Sequence, residues 1–243
     1  MPNLLCELNS MLLLGAASFA SSSVSSGIPT YQVFRANGKL EVDGLLKEEA
    51  WKKAALISNF KLPWDQEKPQ ATEARFLWDS DFLYGAFRAW DHEIVTWTAP
   101  NHRGKIAVTD HDRVEIFFAW EESLKDYYCL EIDPDGVVFD YKAHYHRNFD
   151  PSWHLTGLKV ASKILPDGYV VELAVPLAVM KELGFPVSAS GFTWKVGVYR
   201  ADFSLTQPGK LKMLWQTWID PGLSQPDFHV PSSFGYFEFV KKK

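Results

Sequence analysis

The chain has 243 residues, of which 47% are apolar and 15% aromatic, so it can bury the core of one large domain. Its formal net charge is -5, and its only run of three cations is Lys241, Lys242 and Lys243. Because proteins bind phosphate backbones with clustered positive charge, nucleic acid is excluded as a partner class. The two cysteines, Cys6 and Cys129, are too few for a disulfide framework, so packing must stabilise the fold.

The N-terminal segment has most features of an export signal. Residues 11–20 form a short apolar run that ends in small residues, and Ser18 and Ala20 suit the positions read by a signal peptidase. The segment before this run contains Glu7 and no cation, which is atypical. We expect residues 1–37 to be a signal peptide and a flexible lead-in, and the protein to be secreted or periplasmic. No other stretch approaches the roughly 18 apolar residues of a membrane span, so no transmembrane anchor is expected.

Hydrophobic spacing predicts a short helix and then a hairpin. Residues 45–55 place their apolar side chains on one helical face, which predicts a helix at one end of the fold. From residue 72 to residue 78 apolar and polar side chains alternate, as is typical of a strand. The Asp-Ser-Asp sequence at 79–81 supplies a turn into the apolar residues 82–90, so these two segments predict a β-hairpin.

Further strands are predicted where apolar residues alternate with polar ones between turn signals. They cover residues 114–120, 127–132, 137–141, 158–164, 169–176, 192–200, 214–218 and 236–240. Pro and Gly turns at 133–136 and 165–168 join four of them into hairpins, and residues 177–183 predict a second short helix. With about ten strands and little helix, residues 38–240 predict a single all-β domain, an antiparallel β-sandwich with one or two short peripheral helices.

Alternation along three of these strands predicts a polar surface. The apolar side chains of 114–120 share one face, which we assign to the core, so Glu115 lies on the opposite face. The same alternation places Glu131 and Tyr199 on the outer face of their strands. If the three strands are neighbours, these side chains meet and form a shallow polar floor for the hydroxyl groups of a ligand. The alternative is a solvated face whose charges have no binding role.

Aromatic residues in loop-like, polar surroundings are candidates for flat binding platforms. Trp97, Trp153 and Phe228 meet this description, whereas Trp51, Trp78 and Trp120 lie in segments expected to build the core. An exposed flat ring can pack against the apolar face of a ligand. The alternative for each loop ring is packing over the edge of the core.

Six ordered motifs, together with Trp51, resemble the family 9 carbohydrate-binding modules. They are VDG at 42–44, RFLWD at 75–79, FLY at 82–84, DRVEIF at 112–117, ELAVP at 172–176 and PSSFG at 231–235. The resemblance implies a β-sandwich that binds sugars without cleaving them, structural calcium, and association with xylan-degrading glycoside hydrolases. It places the family glutamate on Glu115 and the two sugar-stacking Trp rings near Thr109 and on Phe228. Since only Phe228 is aromatic, Trp97 or another loop ring would have to replace the missing one.

Three other functions remain open from the sequence. Glu115 and Glu131 could formally serve as the two carboxyl groups of a glycosidase. His144 and His146, with Asp140 and His154 nearby, could share a transition metal, but a polar edge strand explains them better, because their spacing fixes no third ligand. The sandwich could also be a structural or protein-interaction domain with a decayed sugar site.

We predict a non-catalytic protein that binds plant-type oligo- or polysaccharide of the xylan or cellulose type. Aromatic stacking and hydrogen bonds to carboxylates would hold the ligand. The protein would act as an accessory to xylan-degrading hydrolases, with calcium as its one implied cofactor.

Overall fold

The computed structural model describes residues 27–96, 104–189, 191–207 and 210–241, and twelve strands and one α-helix make up about half of them. The strands are β1 (Thr30–Arg35), β2 (Thr72–Trp78), β3 (Phe82–Trp90), β4 (Arg113–Ala119), β5 (Asp126–Ile132), β6 (Val138–His144), β7 (Asn148–Asp150), β8 (Lys159–Leu165), β9 (Gly168–Pro176), β10 (Phe192–Gln207), β11 (Lys210–Thr217) and β12 (Gly235–Val240). The helix α1 spans Leu177–Glu182, and single 3-10 segments span Trp51–Lys53, Gly104–Asp110 and Pro231–Ser233. The predicted all-β class with short peripheral helices is confirmed.

The strands form one curled sheet in the order β7-β6-β5-β4-β10-β12-β1-β2-β3-β9-β8, with β11 paired to β10. Side chains from β2, β3 and β9 pack against side chains from β4, β5 and β10, so the two halves of the sheet enclose the main core as in a sandwich. The sheet is not purely antiparallel, because β1 pairs in parallel with both β12 and β2.

The domain also begins earlier than the sequence predicted. Thr30–Arg35 falls within the expected lead-in, yet it forms β1, and its alternating side chains Tyr31 and Val33 are buried in the main core. β1 pairs with strands that lie far from it in the sequence and forms no hairpin with a neighbouring segment. Local sequence signals therefore did not predict it. The predicted signal peptide lies outside the described residues.

The predicted hairpins are confirmed, and their turn residues explain them. Asp79 Oδ1 accepts hydrogen bonds from the backbone N–H groups of Asp81 and Phe82, which closes the turn between β2 and β3. Gly168, the first residue of β9, has φ of 135°. A Cβ atom there would lie 2.0 Å from the carbonyl oxygen of Ala89, so no other residue fits without moving the backbone.

The predicted helix at 45–55 is wrong, since only Trp51–Lys53 forms one 3-10 turn. Glu172 on β9 holds this segment as a loop. Its carboxylate accepts hydrogen bonds from the backbone N–H groups of Asp43 and Gly44 and from the indole N–H of Trp51. An isolated helix of this length is marginal in water, so these long-range contacts decide the conformation.

The outer face of β4, β5, β6 and β10 carries a second buried cluster. Phe117, Cys129 and Tyr199 lie in it, whereas the alternate residues of the same strands, such as Ile116, lie in the main core. The pleat prediction of two faces therefore holds. The outer face is not open, because the chain around Phe228 covers it. None of the helices in the described ranges is long and apolar enough to cross a membrane.

Candidate functional site

A buried cluster of charge lies on the covered outer face of β4 and β5. Strand pairing places Glu115 opposite Glu131 on one side and opposite Tyr199 on the other, so the three predicted strands are neighbours. Arg113 Nε lies 2.6 Å from Glu131 Oε2 and 2.9 Å from Glu115 Oε1. These charged side chains are at most 6% exposed. One guanidinium group therefore faces two carboxyl groups in a poorly solvated site.

The two carboxyl groups differ in their hydrogen bonds. Glu131 accepts one from Arg113 Nε at 2.6 Å and one from the Tyr141 hydroxyl at 2.8 Å. Because Nε carries a single hydrogen, Glu115 Oε1 accepts no hydrogen bond from the described residues despite its distance to Arg113. Burial, with a smaller contribution from the charge of Glu131, raises the pKa of Glu115 to about 8, although Arg113 opposes the shift. Glu115 therefore presents a buried oxygen that a ligand can use.

These groups form the floor of a cavity of about 460 Å³, within the range of small-ligand pockets, about 300–1,000 Å³. Aromatic and apolar side chains provide about half of its lining. The lining residues are Ile106, Thr109, Arg113, Glu115, Glu131, Phe139, Tyr141, Arg147, Phe149, Trp215, Pro226, Asp227, Phe228 and His229. The cavity thus combines hydrogen-bonding groups with flat apolar rings.

Asp227 joins two walls of the cavity. Its Oδ2 accepts a hydrogen bond from His146 Nε2 at 2.8 Å, and its Oδ1 accepts hydrogen bonds from Arg147 Nη1 at 3.0 Å and the backbone N–H of His229 at 2.8 Å. Burial acts to raise the pKa of Asp227, but these hydrogen bonds and nearby cations outweigh it and hold the pKa below its usual value. The turn between β6 and β7 is thereby tied to the chain around Phe228.

His229 is a packed, neutral side chain at the edge of this cavity. Its ring stacks on Phe117 at a centroid distance of 5.0 Å, and Nδ1 lies 3.1 Å from the Tyr127 hydroxyl oxygen. Burial lowers the pKa of His229 to about 3. The ring therefore supports the wall without adding positive charge to it.

The predicted site residue Tyr199 is placed beneath the cavity wall and does not line the cavity. Its ring stacks on Phe228 at 4.1 Å with an interplanar angle of 9°, and its hydroxyl lies 2.7 Å from Ser233 Oγ. The phenol packs over Gly197, where an added Cβ atom would lie 2.0 Å from the hydroxyl oxygen. Tyr199 thus supports Phe228, and the predicted shallow floor is instead a covered cavity.

The predicted aromatic platforms do not all line the cavity. Phe228 lines the cavity. Trp153 packs on Tyr128 at a centroid distance of 4.9 Å, next to the main core and away from the cavity. Trp97 lies outside the described residues. Trp120, which the sequence assigned to the core, is 47% exposed at the end of β4.

Several cavity residues were missed by the sequence reasoning. Arg113 could have been predicted from the sequence, because it lies two residues before Glu115 on the same strand and so shares its face. Trp215 lies on β11, where it packs at right angles to Phe228 at 5.9 Å. Phe149 belongs to the three-residue strand β7, which is too short to give a periodic pattern. No local signal in the sequence placed the last two rings beside Glu115.

Comparison with known proteins identifies the family. The family described as carbohydrate family 9 binding domain-like matches residues 42–242. The chain belongs to this family. None of the curated proteins matches the chain.

Three solved structures share the fold of this family 9 domain. A protein from Bacteroides uniformis ATCC 8492, to which carbohydrate binding is ascribed, has a TM-score of 0.68 and 16% identity, over 88% of this chain and all of its own. A family 9 module from Caldicellulosiruptor kristjanssonii in complex with cellotriose has a TM-score of 0.59 and 14% identity, over 88% of this chain and 95% of its own. A structure of such a module from the same organism in complex with glucose has a TM-score of 0.56 and 15% identity, over 87% and 97%. At these identities the likeness concerns the fold.

The two ring positions that the resemblance assigned, Thr109 and Phe228, both line the cavity. Thr109 cannot stack on a sugar. Two rings that the resemblance did not assign, Phe149 and Trp215, line the same cavity and can take this role. The aromatic lining of the cavity in this family 9 domain thus comes largely from positions that the resemblance did not assign.

The calcium that the family implies has one candidate cluster in the described ranges, but this cluster does not fit it. Carboxylate oxygens of Asp91, Asp112 and Asp202 lie within 4.8 Å of one another, and all three residues are buried. Calcium takes six to eight oxygen ligands. Here the surrounding groups are N–H donors: Arg200 Nη2 donates to Asp91 at 2.7 Å, and the backbone N–H of Phe203 donates to Asp112 at 2.6 Å. Calcium stays a prediction without assigned ligands.

The histidines considered as metal ligands have separate partners. His144 contacts Asp126, His146 donates to Asp227, and His154 contacts Asp140. His144 and His146 therefore do not converge on one point.

A larger groove of about 630 Å³ lies beside the ends of β1 and β12, but its polar residues are exposed. No buried polar side chain lines this groove, so the cavity above Arg113 remains the candidate site.

Proposed function

We propose that this domain binds a neutral carbohydrate in the cavity above Arg113. The single observation that carries the proposal is Glu115 Oε1, a buried oxygen in a cavity lined by aromatic rings. It lies 2.9 Å from Arg113 Nε but accepts no hydrogen bond from the residues that the structure describes. A buried polar atom without a partner costs about 1–3 kcal/mol, so a ligand that supplies a hydroxyl donor recovers this cost.

Each part of the cavity has a role in this proposal. Hydroxyl groups of the sugar bond to Glu115, which can donate as well as accept at pH 7 because its pKa is raised to about 8. The C–H face of the pyranose packs on Phe228, Trp215 or Phe149. One guanidinium group beside two carboxyl groups leaves no excess positive charge, which disfavours acidic sugars.

The ligand class that we propose is plant-type oligo- or polysaccharide of the cellulose or xylan type. The family membership and the relatives in complex with cellotriose and glucose support this class. We further propose that the protein is exported, binds without cleaving, and assists xylan-degrading hydrolases. Modest affinity is expected, because a sugar exchanges bonds to water for bonds to protein, with a net gain of about 1 kcal/mol each.

Titration calorimetry with xylo-, cello- and manno-oligosaccharides and with monosaccharides tests the proposal. We expect binding in the millimolar range or tighter, reduced about tenfold in Glu115→Leu, which removes the hydrogen-bonding group. Glu238→Leu is the matched control, because Glu238 is exposed on β12 outside the cavity. Absence of binding to every sugar at millimolar concentration would contradict the proposal.

The non-catalytic assignment has its own test. We expect no release of reducing sugar from xylan or cellulose at micromolar protein. Turnover that disappears in Glu115→Gln would contradict it and favour the glycosidase alternative.

A further inference from the structure

The guanidinium group of Arg200 lies within the buried cluster of Asp91, Asp112 and Asp202. Its Nη2 donates a hydrogen bond to Asp91 Oδ2 at 2.7 Å and lies 3.5 Å from Asp202 Oδ1. The side chains of Arg200 and Asp91 have no exposed surface, and that of Asp202 is 2% exposed. Because a buried charge needs a partner, the chain itself supplies the positive group that these carboxylates require.

Arg200 also takes up neutral oxygens beside the cluster. Its Nη1 donates to the carbonyl oxygen of Trp90 at 2.9 Å, to Thr72 Oγ1 at 3.1 Å and to the carbonyl oxygen of Ala71 at 3.3 Å. Carboxylate and carbonyl oxygens are the ligands that calcium prefers in proteins. The guanidinium group therefore uses the kind of oxygens that a calcium ion would need at this place.

Arg200 and a calcium ion cannot occupy this place together. The ion would lie at contact distance from the guanidinium group, and like charges repel strongly where water is excluded. The cluster is also held by the backbone, because Asp112 accepts hydrogen bonds from the N–H groups of Val95 at 2.5 Å and Phe203 at 2.6 Å. A metal ion is therefore not needed to keep these carboxyl groups in position.

The cluster fixes the strands that carry the cavity. Asp112 directly precedes Arg113, the first residue of β4, which lies on the cavity floor. Phe203 on β10 donates its backbone N–H to Asp112, and its ring packs at right angles to Trp215 at 5.5 Å. Trp215 lines the cavity. The charge of Arg200 thus helps to hold β4, β10 and β11 together beside the cavity.

We propose that Arg200 is a built-in cation that takes the place of calcium at this cluster. The strands around the cavity are then held together at any calcium concentration. The inference does not depend on the proposed carbohydrate binding, because protein stability and calcium binding test it.

Replacing Arg200 by Ala tests the inference, because this change removes the charge and leaves the oxygens. The Arg200→Ala variant should be less stable than wild type in EDTA and should bind one more calcium ion than wild type in titration calorimetry. At a calcium concentration about 100 times the dissociation constant, we expect its melting temperature to rise by about 5–10 °C. Calcium bound elsewhere would stabilise wild type as well, so the rise is measured relative to wild type.

Arg200→Lys is the matched control, because the ammonium group keeps the positive charge. We expect this variant to gain neither a calcium ion nor calcium stabilisation relative to wild type. Asp202→Asn provides a second measurement if Arg200→Ala does not fold. Since Arg200 fills the cluster, wild type and Asp202→Asn should bind the same number of calcium ions.

Two outcomes would overturn the inference. A folded Arg200→Ala variant that gains no calcium ion would show that these oxygens do not form a cation site. A calcium ion that wild type binds and Asp202→Asn loses would show that the metal lies beside Arg200. None of these measurements uses a sugar, so either outcome leaves the proposed function in place.

Discussion

Replacing Glu115 by Gln tests whether the buried carboxyl group is held at a cost to folding. Burial raises its pKa in the folded protein from 4.5 to about 8. An acid with a raised pKa binds more protons in the folded state, so its contribution to stability is full below pH 4.5 and is lost as the pH rises to 8. Each pKa unit corresponds to about 1.4 kcal/mol, so the loss reaches at most about 5 kcal/mol above pH 8.

The Glu115→Gln variant carries a neutral amide of similar shape and lacks this pH dependence. We expect its free energy of unfolding to match wild type within about 1 kcal/mol near pH 4.5 and to exceed it by about 2–5 kcal/mol at pH 8.5. Urea denaturation followed by tryptophan fluorescence at pH 4.5, 7 and 8.5 measures both proteins. Other buried acids such as Asp112 contribute equally to both and cancel in the difference.

Glu131→Gln provides the contrasting control. Glu131 accepts hydrogen bonds from Arg113 and Tyr141, so its replacement should destabilise the protein by about 1.5–3 kcal/mol at all three pH values. Parallel stability curves for wild type and Glu115→Gln would refute the reasoning, as would a variant that is less stable at pH 8.5.

Three further predictions concern the buried charge, the support of the cavity wall and the N-terminus. Arg200→Met should lower the free energy of unfolding by about 3–5 kcal/mol in urea denaturation, because it leaves Asp91 without its cation, whereas an unchanged midpoint would contradict this. Gly197→Ala should cost about 1–3 kcal/mol and weaken sugar binding, because its methyl group displaces Tyr199 and hence Phe228; binding unchanged in calorimetry would argue against it. Mass spectrometry of protein from its native host should find a mature N-terminus at Ser21, and an intact Met1 would exclude export by this signal.

The fold was predictable wherever neighbouring segments of the sequence pair with each other. β2 and β3 are joined by a turn that Asp79 closes locally, so alternation and turn chemistry sufficed. The predictions for β1 and for residues 45–55 were wrong for the opposite reason. β1 is held by strands from distant parts of the chain, and the loop at 45–55 is held by Glu172, more than 100 residues away.

The residues on the floor of the cavity were predictable from the sequence, whereas the chain that covers them was not. The alternation of side chains predicted that Glu115 and Glu131 would meet if their strands were neighbours. The two strands do pair, and Glu115 lies opposite Glu131. The burial of both residues depends on the chain around Phe228, which lies about 100 residues later in the sequence. The ring of Phe228 stacks on Tyr199. Sequence alternation cannot show that an outward-facing residue is covered by a distant loop. For this reason Tyr199 was expected to face a ligand and instead packs in the second core.

The geometry of Glu115 argues for a ligand more strongly than the presence of aromatic rings does. Rings stabilise this protein whether or not anything binds, and Phe228 clearly does so through Tyr199. Glu115 Oε1 has the opposite effect, because it is buried beside Glu131 without a hydrogen bond from the described residues. Replacement by an apolar residue of similar size would remove this cost to folding. A group that costs stability in the free protein is explained if a hydroxyl donor from a ligand completes its hydrogen bonds.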